Sequence, residues 1–404
     1  MIILIINCGS SSIKYRLMDM KSDDVYDILA KGEIEKIGLP EGISTYKPAG
    51  KEKIQKFLPI PDHKVGLELI LGELVDKNHG VLKSFADIEA VGHRVAHGAD
   101  FFSTSALINK DVLDKIEYCA EFAPLHNRAN LMGIRACQEV LHDVPQVAVF
   151  DTSFNQTMPE YAYMYALPYE YYSKYHIRRY GFHGTSHKYV SHAGAKFAGL
   201  DIEHSKIITC HIGSGSSVSA VLNGKCIDTS MGFTPLEGTI MGTRCGSIDP
   251  SIVPFVMKKE NLSPDQITDV MNKKSGFLGL SGKTSDAREM DALANAGDPR
   301  AKLALKKLTY DVIKYIGAYS AAMNGVDLIV FTAGIGEHDS RLRRRVCENL
   351  GYMGVKVDYE ANMASGESAI ISTPDSKVKV ALIPTEEELM IARDTMHIVT
   401  ALDE

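Results

Sequence analysis

The sequence lacks the features that mark several large classes of protein. Its seven cysteines are odd in number, far apart and without CxxC or CxxxH spacing, which argues against a disulfide framework and a zinc site. The net charge is −7 and the Lys and Arg residues are scattered, so no nucleic-acid-binding surface is indicated. The apolar residues 1–6 lack a preceding basic region and end at Asn7, too short for a signal peptide or a membrane span. We therefore expect a cytoplasmic protein that binds neither nucleic acid nor membrane.

Length and patterning indicate a two-domain α/β enzyme. A chain of 404 residues exceeds what one hydrophobic core usually organises. Its 45% hydrophobic and 24% charged residues, with no low-complexity tract, are typical of a folded globular protein. Short β-branched runs alternate with amphipathic stretches, which predicts mixed or parallel sheets flanked by helices. The predicted strands are residues 2–6, 12–19, 146–151, 206–212, 218–222, 225–229, 327–332 and 377–383.

Three local signals predict individual elements. Asn223-Gly224 between two predicted strands is a strong hairpin signal. One apolar stripe at spacings of three and four predicts a long helix that ends near Asn324. The members of this stripe are Leu305, Leu308, Val312, Ile316 and Tyr319. The Thr385-x-x-Glu388 pattern predicts a capping box that opens a C-terminal helix.

An internal sequence repeat indicates phosphate binding. Residues 3–14 and 208–220 both read as apolar strand, Gly-Ser loop and alternating strand, as in a duplicated fold whose two loops hold a polyphosphate. A third Gly-rich turn occupies residues 332–337. A polar hairpin turn is the alternative for any one of these loops. Because neither GxxxxGK[ST] nor GxGxxG is present, a P-loop NTPase and a Rossmann dehydrogenase are not supported.

Four polar residues are candidates for chemistry. Arg94 and Arg244 each lie among glycines and small residues, where a guanidinium can grip a carboxylate or a phosphoryl group, although a surface arginine on a loop is the alternative. Asp151 ends a predicted strand and is placed to meet Mg²⁺ or to cap. His183 precedes a helical pattern and is placed to donate to developing phosphoryl charge. We interpret His187 as structural.

The chain resembles the acetate kinase family in ordered blocks from residue 2 to about 395. These blocks read VGHRVAHG, APLHN, VFDTSF, RRYGFHGTSH, TSMGFTPLEG, MGTRCGSIDP, NKKSG, FTAGIGE and IPTEEE. The resemblance implies the α/β fold of the sugar kinase, Hsc70 and actin superfamily, with two ribonuclease-H-like domains, mixed sheets flanked by helices, and a nucleotide cleft. It further implies a first domain of residues 1–150 completed by 385–404. The second domain, residues 151–384, would carry the adenosine site and most of a homodimer interface.

The resemblance also implies a reaction and its residues. The reaction is reversible, Mg²⁺- or Mn²⁺-dependent, direct in-line transfer of the ATP γ-phosphoryl to acetate, giving acetyl phosphate and ADP. Asn7 and Glu387 would serve the metal site with Asp151, while Arg94, Arg244 and His183 would act in catalysis. The implied phosphate contacts are Ser10, Ser12, Lys14, His211, Gly213, Ser214, Gly215 and Ser216. The implied adenosine-side residues are Asp286, Ala287, Arg288, Gly334, Ile335 and Gly336.

The acyl substrate is expected to contact Ala96, Leu125, Phe182 and Pro235. Ala96 stands where the family usually has Val, which makes room for one more methylene, so propionate use beside acetate is expected. A propionate or other short-chain carboxylate kinase, or a pyrophosphate-using relative, is the alternative on the same fold.

Some positions depart from the family pattern. Ser214, His338 and Glu386 each replace a common Asn, Asn155 replaces a His and Ala99 replaces a Gly. Glu386 places an extra acid beside Glu387, which is expected to raise a carboxylate pKa or change metal affinity. The departures at Ser214, His338 and Glu386 leave a non-catalytic ATP-binding regulator as a further alternative.

Overall fold

The protein consists of two compact units, each with its own sheet. The computed structural model describes residues 1–402, apart from the side chain of Leu125. The N-terminal unit comprises Met1–Ser153 together with the chain from Glu386 onward, and the C-terminal unit comprises Phe154–Thr385. None of the helices in the described part of the chain is long and apolar enough to cross a membrane.

The N-terminal unit is built on an eight-stranded mixed sheet of order β5-β4-β3-β2-β1-β6-β8-β7. Its strands are β1 (Ile2–Cys8), β2 (Ser12–Met20), β3 (Tyr26–Glu35), β4 (Gly42–Pro48), β5 (Ile54–Leu58), β6 (Ala90–Val95), β7 (Ala106–Leu107) and β8 (Gln146–Phe150). The central strand β1 pairs antiparallel with β2 and parallel with β6, which in turn is parallel to β8. Because β1 and β8 are covered on both faces, they read as continuous apolar runs.

Four helices cover this sheet. They are α1 (His63–Leu74), α2 (Lys110–Tyr118), α3 (Pro124–Val140) and the C-terminal helix (Glu387–Thr400). The C-terminal helix packs against Gly92 of β6, where an added Cβ would lie 2.5 Å from Thr395 Oγ1 and 2.7 Å from Ile391 Cγ2. Glycine at this position therefore allows the helix to approach the strand that bears Arg94.

The C-terminal unit is built on a six-stranded sheet of order β11-β10-β9-β12-β14-β13. Its strands are β9 (Lys206–Ile212), β10 (Ser216–Leu222), β11 (Lys225–Thr229), β12 (Leu328–Thr332), β13 (Ala369–Ile370) and β14 (Lys379–Leu382). Its helices are α4 (Glu160–Tyr163), α5 (Tyr169–Tyr175), α6 (Gly184–Ala198), α7 (Ile252–Glu260), α8 (Pro264–Lys273), α9 (Gly276–Ser281), α10 (Ala287–Asn295), α11 (Pro299–Ala322), α12 (Ala333–His338) and α13 (Ser340–Glu348).

The two sheets share one topology. In the order β3-β2-β1-β6-β8 and again in β11-β10-β9-β12-β14, three antiparallel strands are followed by two parallel ones. Each unit places a Gly-Ser turn between its first two strands. The expected α/β class, with two mixed sheets flanked by helices, is confirmed.

Local predictions were right where the pattern was strong. Asn223 and Gly224 adopt φ of 51° and 76° between β10 and β11. The helix α11 ends just before Asn324, which has a φ of 53°, and its predicted apolar stripe is buried.

The predicted capping box at Thr385 is wrong. The N-cap of the C-terminal helix is Glu386, and no side chain accepts a capping hydrogen bond there. The Thr385 hydroxyl is instead bonded to Ser186 Oγ at 2.8 Å. Arg94 lies within β6, which excludes the alternative of an arginine on a loop, and strands β3–β7 and β13 were not predicted.

Candidate active site

The N-terminal unit contains an arginine–acid cluster of Arg94, Asp151, Glu387 and Asn7. Asp151 directly follows β8, and its N–H donates to Val95 O at 2.9 Å, at the carboxyl end of the adjacent parallel strand β6. Arg94 Nε and Nη2 then donate to the two Asp151 carboxylate oxygens at 3.1 and 2.5 Å. This bidentate geometry is the strong form of an arginine–carboxylate pair.

Glu387 and Asn7 complete the arginine–acid cluster. Glu387 Oε2 lies 4.0 Å from Arg94 Nε, and Asn7 Oδ1 accepts from Arg94 Nη1 at 3.5 Å. Asp151 and Glu387 raise the pKa of Arg94. Burial raises the pKa of Glu387 to about 7, aided by Asp151 and Glu388 and opposed by Arg94. Two acids thus share one arginine, and the pKa of the second acid is raised.

Glu386 does not join this cluster. Arg16 Nη1 donates to Glu386 Oε2 at 2.8 Å, and Arg16 Nη2 lies 3.5 Å from Glu388 Oε2. The raised pKa of Glu387 therefore has causes other than the one expected from Glu386.

The donor set of the cluster fits Mg²⁺. No group of three or more His, Cys, Asp or Glu side chains placed to hold a metal is found among residues 1–402. However, Mg²⁺ is commonly held by one or two carboxylates, with waters and substrate phosphates completing its shell. Asp151, Glu387 and the Asn7 amide oxygen supply such hard ligands, and a bound cation would favour the ionised form of Glu387, whose pKa burial raises to about 7.

The first Gly-Ser turn lies next to the arginine–acid cluster. Asn7 pairs with Lys14 across the β1–β2 hairpin, and the turn between them is closed by a Gly9 N–H donating to Ser12 O at 2.8 Å. Ser10 is exposed at the tip of the turn. Lys14 Nζ is exposed and lies 3.6 Å from Glu33 Oε1. The turn therefore offers hydroxyls and a lysine to an anion.

The C-terminal unit contains a pocket of ≈ 850 Å³. Seven of the residues that line it were expected on the nucleotide side, namely Gly213, Ser214, Asp286, Ala287, Arg288, Gly334 and Ile335. They come from three separate segments that sequence spacing alone does not bring together. Further lining residues, including Phe277, Asp291 and Arg341, were not anticipated.

Four expected phosphate or adenosine residues of the C-terminal unit are not among those that line this pocket, namely His211, Gly215, Ser216 and Gly336. Ser216 Oγ donates to Gly213 O at 3.1 Å and so shapes the loop with Gly215. Gly336 O accepts from Arg343 Nη1 at 2.8 Å, and Arg343 is fully buried. The fourth, His211, stacks on His183.

Arg244 and His183 lie beside the Gly213–Ser216 turn. A Cβ at Gly215 would be 3.4 Å from His183 Nε2 and 3.6 Å from Arg244 Nη1. Arg244 Nη1 donates to Pro235 O at 3.1 Å, and no carboxylate in the described chain lies within ion-pair distance of it. Burial lowers the pKa of Arg244. This guanidinium is therefore available to an anion.

His183 is held tightly in place. It is the N-cap of α6 with a φ of 57°, a left-handed conformation that non-glycine residues adopt mainly at special sites. Its ring stacks on His211 with centroids 4.1 Å apart. Its Nδ1 is 2.8 Å from Ser217 Oγ, which is also 2.7 Å from His187 Nε2. Sequence reasoning treated His187 as structural because nothing in the pattern reveals this shared hydroxyl.

The expected acyl-contact residues divide between the units. Ala96 is buried in the N-terminal unit, and its N–H donates to Asn130 Oδ1 at 3.1 Å. Phe182 is buried against Met231 and Met241 in the C-terminal unit, where Pro235 adjoins Arg244. The Leu125 side chain lies outside the described residues.

Comparisons with known proteins place the chain in a family. A model of the acetokinase family matches residues 2–393. An acetate kinase of Carboxydothermus hydrogenoformans is 55% identical over 397 residues, which are 98% of this chain and 99% of that protein. The crystal structure of Porphyromonas gingivalis acetate kinase matches with a TM-score of 0.93 at 47% identity, covering 98% of this chain and 99% of the other. A propionate kinase from Francisella tularensis subsp. tularensis matches with a TM-score of 0.91 at 42% identity, with the same coverage. The predicted resemblance is thus confirmed, and the chain belongs to the acetokinase family.

Proposed function

We propose that the protein is an acetate kinase that transfers the γ-phosphoryl of ATP to acetate, reversibly and with Mg²⁺ or Mn²⁺, forming acetyl phosphate and ADP. One observation carries the proposal. The turn that lines the 850 Å³ pocket through Gly213 and Ser214 also abuts His183 and Arg244 at Gly215. A nucleotide in that pocket would therefore have a histidine and an acid-free arginine next to its phosphate-binding turn.

In the C-terminal unit, Arg244 and His183 stabilise the phosphoryl group during transfer. Phosphoryl transfer needs positioning and charge stabilisation more than covalent chemistry. Because Arg244 has no acid partner in the described chain, its charge is not already neutralised before substrate binds. The acetate is ionised at pH 7, so no strong general base is required.

In the N-terminal unit, Asp151 orients Arg94, whose remaining Nη1 points to Asn7. Asp151, Glu387 and Asn7 would hold the metal, directly or through water. A divalent cation supplies neutralisation of phosphate charge when bound. Ser10, Ser12 and Lys14 contact phosphate from the first Gly-Ser turn. We assign both Arg94 and Arg244 to the transfer step.

The acyl group contacts Ala96, Leu125, Phe182 and Pro235, and propionate is used beside acetate. The small Ala96 side chain supports this, as does similarity to a structure described as a propionate kinase. A kinase that prefers propionate is accordingly the second candidate.

We further propose a cytoplasmic homodimer that associates through the C-terminal unit. Several large side chains on and next to α4 and α5 are exposed, namely Tyr161, Leu167, Tyr169 and Tyr175. Tyrosine is enriched in protein interfaces. All seven cysteines are free and six are buried, as suits a reducing compartment.

A hydroxamate assay for acyl phosphate tests the activity. The protein is incubated with MgATP and formate, acetate, propionate or butyrate, and acetate is also tried with pyrophosphate in place of ATP. We expect acyl phosphate from acetate and propionate with ATP. Failure to form any acyl phosphate would favour a non-catalytic regulator, and activity with pyrophosphate alone would favour the other phosphoryl donor.

A further inference from the structure

We propose that Ser217 is a positioning residue that sets which nitrogen of His183 carries hydrogen. With hydrogen on Nε2, His183 presents an N–H donor beside the Gly213–Ser216 turn. The inference rests on the proposed function only in assigning His183 to the transfer step. The relay of hydrogen bonds that supports it lies wholly within the C-terminal unit and runs from Thr209 through His187 and Ser217 to His183.

The relay begins at the hydroxyl of Thr209 on β9. This residue is fully buried, and its Oγ1 lies 2.7 Å from His187 Nδ1. No second partner for this hydroxyl is found in the described part of the chain. A buried hydroxyl that does not donate leaves its hydrogen unpaired, which is costly. Thr209 therefore donates to His187 Nδ1.

His187 transmits the direction of hydrogen bonding from Thr209 to Ser217. It is fully buried on α6, and burial lowers its pKa well below the ordinary value, so the ring is neutral. A neutral imidazole has one N–H and one acceptor nitrogen. Because Nδ1 accepts from Thr209, the hydrogen is on Nε2, which donates to Ser217 Oγ at 2.7 Å.

Ser217 then has a single hydrogen and one remaining partner, His183 Nδ1 at 2.8 Å. It donates to that nitrogen, so a neutral His183 carries its own hydrogen on Nε2. That atom and Arg244 Nη1 both lie beside Gly215, 3.4 and 3.6 Å from where its Cβ would be. The opposite tautomer of His183, with hydrogen on Nδ1, would direct the lone pair of Nε2 at the phosphoryl oxygens. An N–H at Nε2 instead stabilises the negative charge of those oxygens.

Kinetics of Ser217→Ala test the role in catalysis. Loss of one donor to developing charge typically costs about 10²–10³-fold in kcat, and loss of its orientation is expected to cost roughly 10–100-fold, with KM for acetate and MgATP nearly unchanged. Ser217→Thr, which keeps the hydroxyl, should recover most of kcat. Ser219→Ala is the matched control, because Ser219 is equally buried two residues along β10 and bonds Thr229 Oγ1 at 2.8 Å without touching a histidine.

A double variant separates positioning from general damage. In a His183→Ala background, Ser217→Ala should reduce kcat no further, since its effect passes through His183. An equal loss in both backgrounds overturns the proposal.

Nitrogen-15 NMR of labelled histidines gives a readout independent of activity. Signals are assigned by their loss in His183→Ala and His187→Ala. At a pH where His183 is neutral, we expect both rings of the parent to carry hydrogen on Nε2, and His183 to become a mixture of tautomers in Ser217→Ala. Hydrogen on Nδ1 of His183 in the parent overturns the proposal even if the enzyme is active. An inactive parent with the expected NMR pattern refutes the proposed function but leaves the relay standing.

Discussion

Arg94 of the N-terminal unit and Arg244 of the C-terminal unit have the same side chain in opposite surroundings. Arg94 makes a bidentate pair with Asp151 and lies near Glu387. Arg244 donates to a backbone carbonyl and contacts the Met241 thioether at 3.4 Å. The pKa of Arg94 is raised by its acids, whereas that of Arg244 is lowered by burial.

Under the proposed function, the two surroundings amount to two ways of preparing a cation for an anionic substrate. The bidentate pair with Asp151 orients Arg94, and the proposed metal ion would balance the charge of Glu387. Arg244 is desolvated without a carboxylate in the described chain, so an incoming phosphoryl or carboxylate group meets a cation that is not already neutralised. Removing the side chain of Arg94 and removing that of Arg244 are therefore expected to have different consequences.

The two arginines are expected to differ most in what they contribute to folding stability. Arg94→Ala leaves Asp151, 2% exposed, as a buried charge without its partner. Breaking a buried pair costs about 3–5 kcal/mol, and the partial exposure of Arg94 places the expected loss nearer 2–3 kcal/mol. Arg244→Ala removes one hydrogen bond to a carbonyl and should cost about 1 kcal/mol or less. Urea denaturation measures both, with Arg94→Ala/Asp151→Asn as the control that regains stability. Equal losses from the two arginine variants would remove the contrast.

Acid should weaken the N-terminal unit through His93. Its Nε2–H donates to Gln146 Oε1 at 2.9 Å, and burial lowers its pKa to about 4. Below pH 6.5 the unfolded chain takes up a proton that the folded chain does not, so stability falls as pH drops toward 4, by up to about 3 kcal/mol. His93→Gln should flatten the dependence of the urea midpoint on pH over this window. The exposed His142→Gln is the control, and a parent that is equally stable at pH 4.5 and 7 would contradict the prediction.

Mg²⁺ affinity should depend on the arginine–acid cluster of the N-terminal unit alone. Glu387→Gln is expected to raise the Mg²⁺ concentration for half-maximal activity roughly 10–100-fold. Its thermal midpoint should hold or rise, because a buried carboxylate with a raised pKa is replaced by a neutral amide. Glu388→Gln, on the same first turn but 3.5 Å from Arg16, is the matched control. An identical shift in both variants, measured by calorimetric Mg²⁺ titration, would argue against a metal-binding role for Glu387.

The smallest expected effect concerns substrate size. Ala96→Val should lower the ratio of kcat/KM for propionate over acetate by about tenfold, since one methylene is worth roughly 1–3 kcal/mol in an apolar pocket. Formate, which has no methyl group, serves as the control substrate. A parent kcat/KM for propionate about a thousandfold below that for acetate would count against the pocket assignment.

Sequence reasoning succeeded where a local pattern determines the structure. Continuous apolar runs predicted β1, β8 and β9, and the Asn223-Gly224 signal predicted its hairpin, because these elements depend on their own residues. The duplicated Gly-Ser loops indicated a duplicated fold, and the two sheets do repeat one topology.

Sequence reasoning failed where contacts between residues far apart in the sequence determine the structure. The strand that bears Arg94 was not predicted because it contains Gly92. This glycine allows the C-terminal helix to approach the strand and does not mark a loop. Thr385 does not cap that helix, and its hydroxyl is hydrogen-bonded to Ser186, 199 residues away in sequence. The role of Ser217 depends on two histidines 30 and 34 residues away in sequence, which no spacing rule connects.

Acyl phosphate formation by three arginine variants tests the central claim most directly. In the hydroxamate assay with saturating MgATP and acetate, the parent should be active, and Arg94→Ala and Arg244→Ala should each lose about a thousandfold or more in rate. Arg288→Ala, an arginine 92% exposed at its side chain and paired with Asp286, should lose far less. An inactive parent, or an Arg94 or Arg244 variant that retains activity near that of Arg288→Ala, would contradict the account.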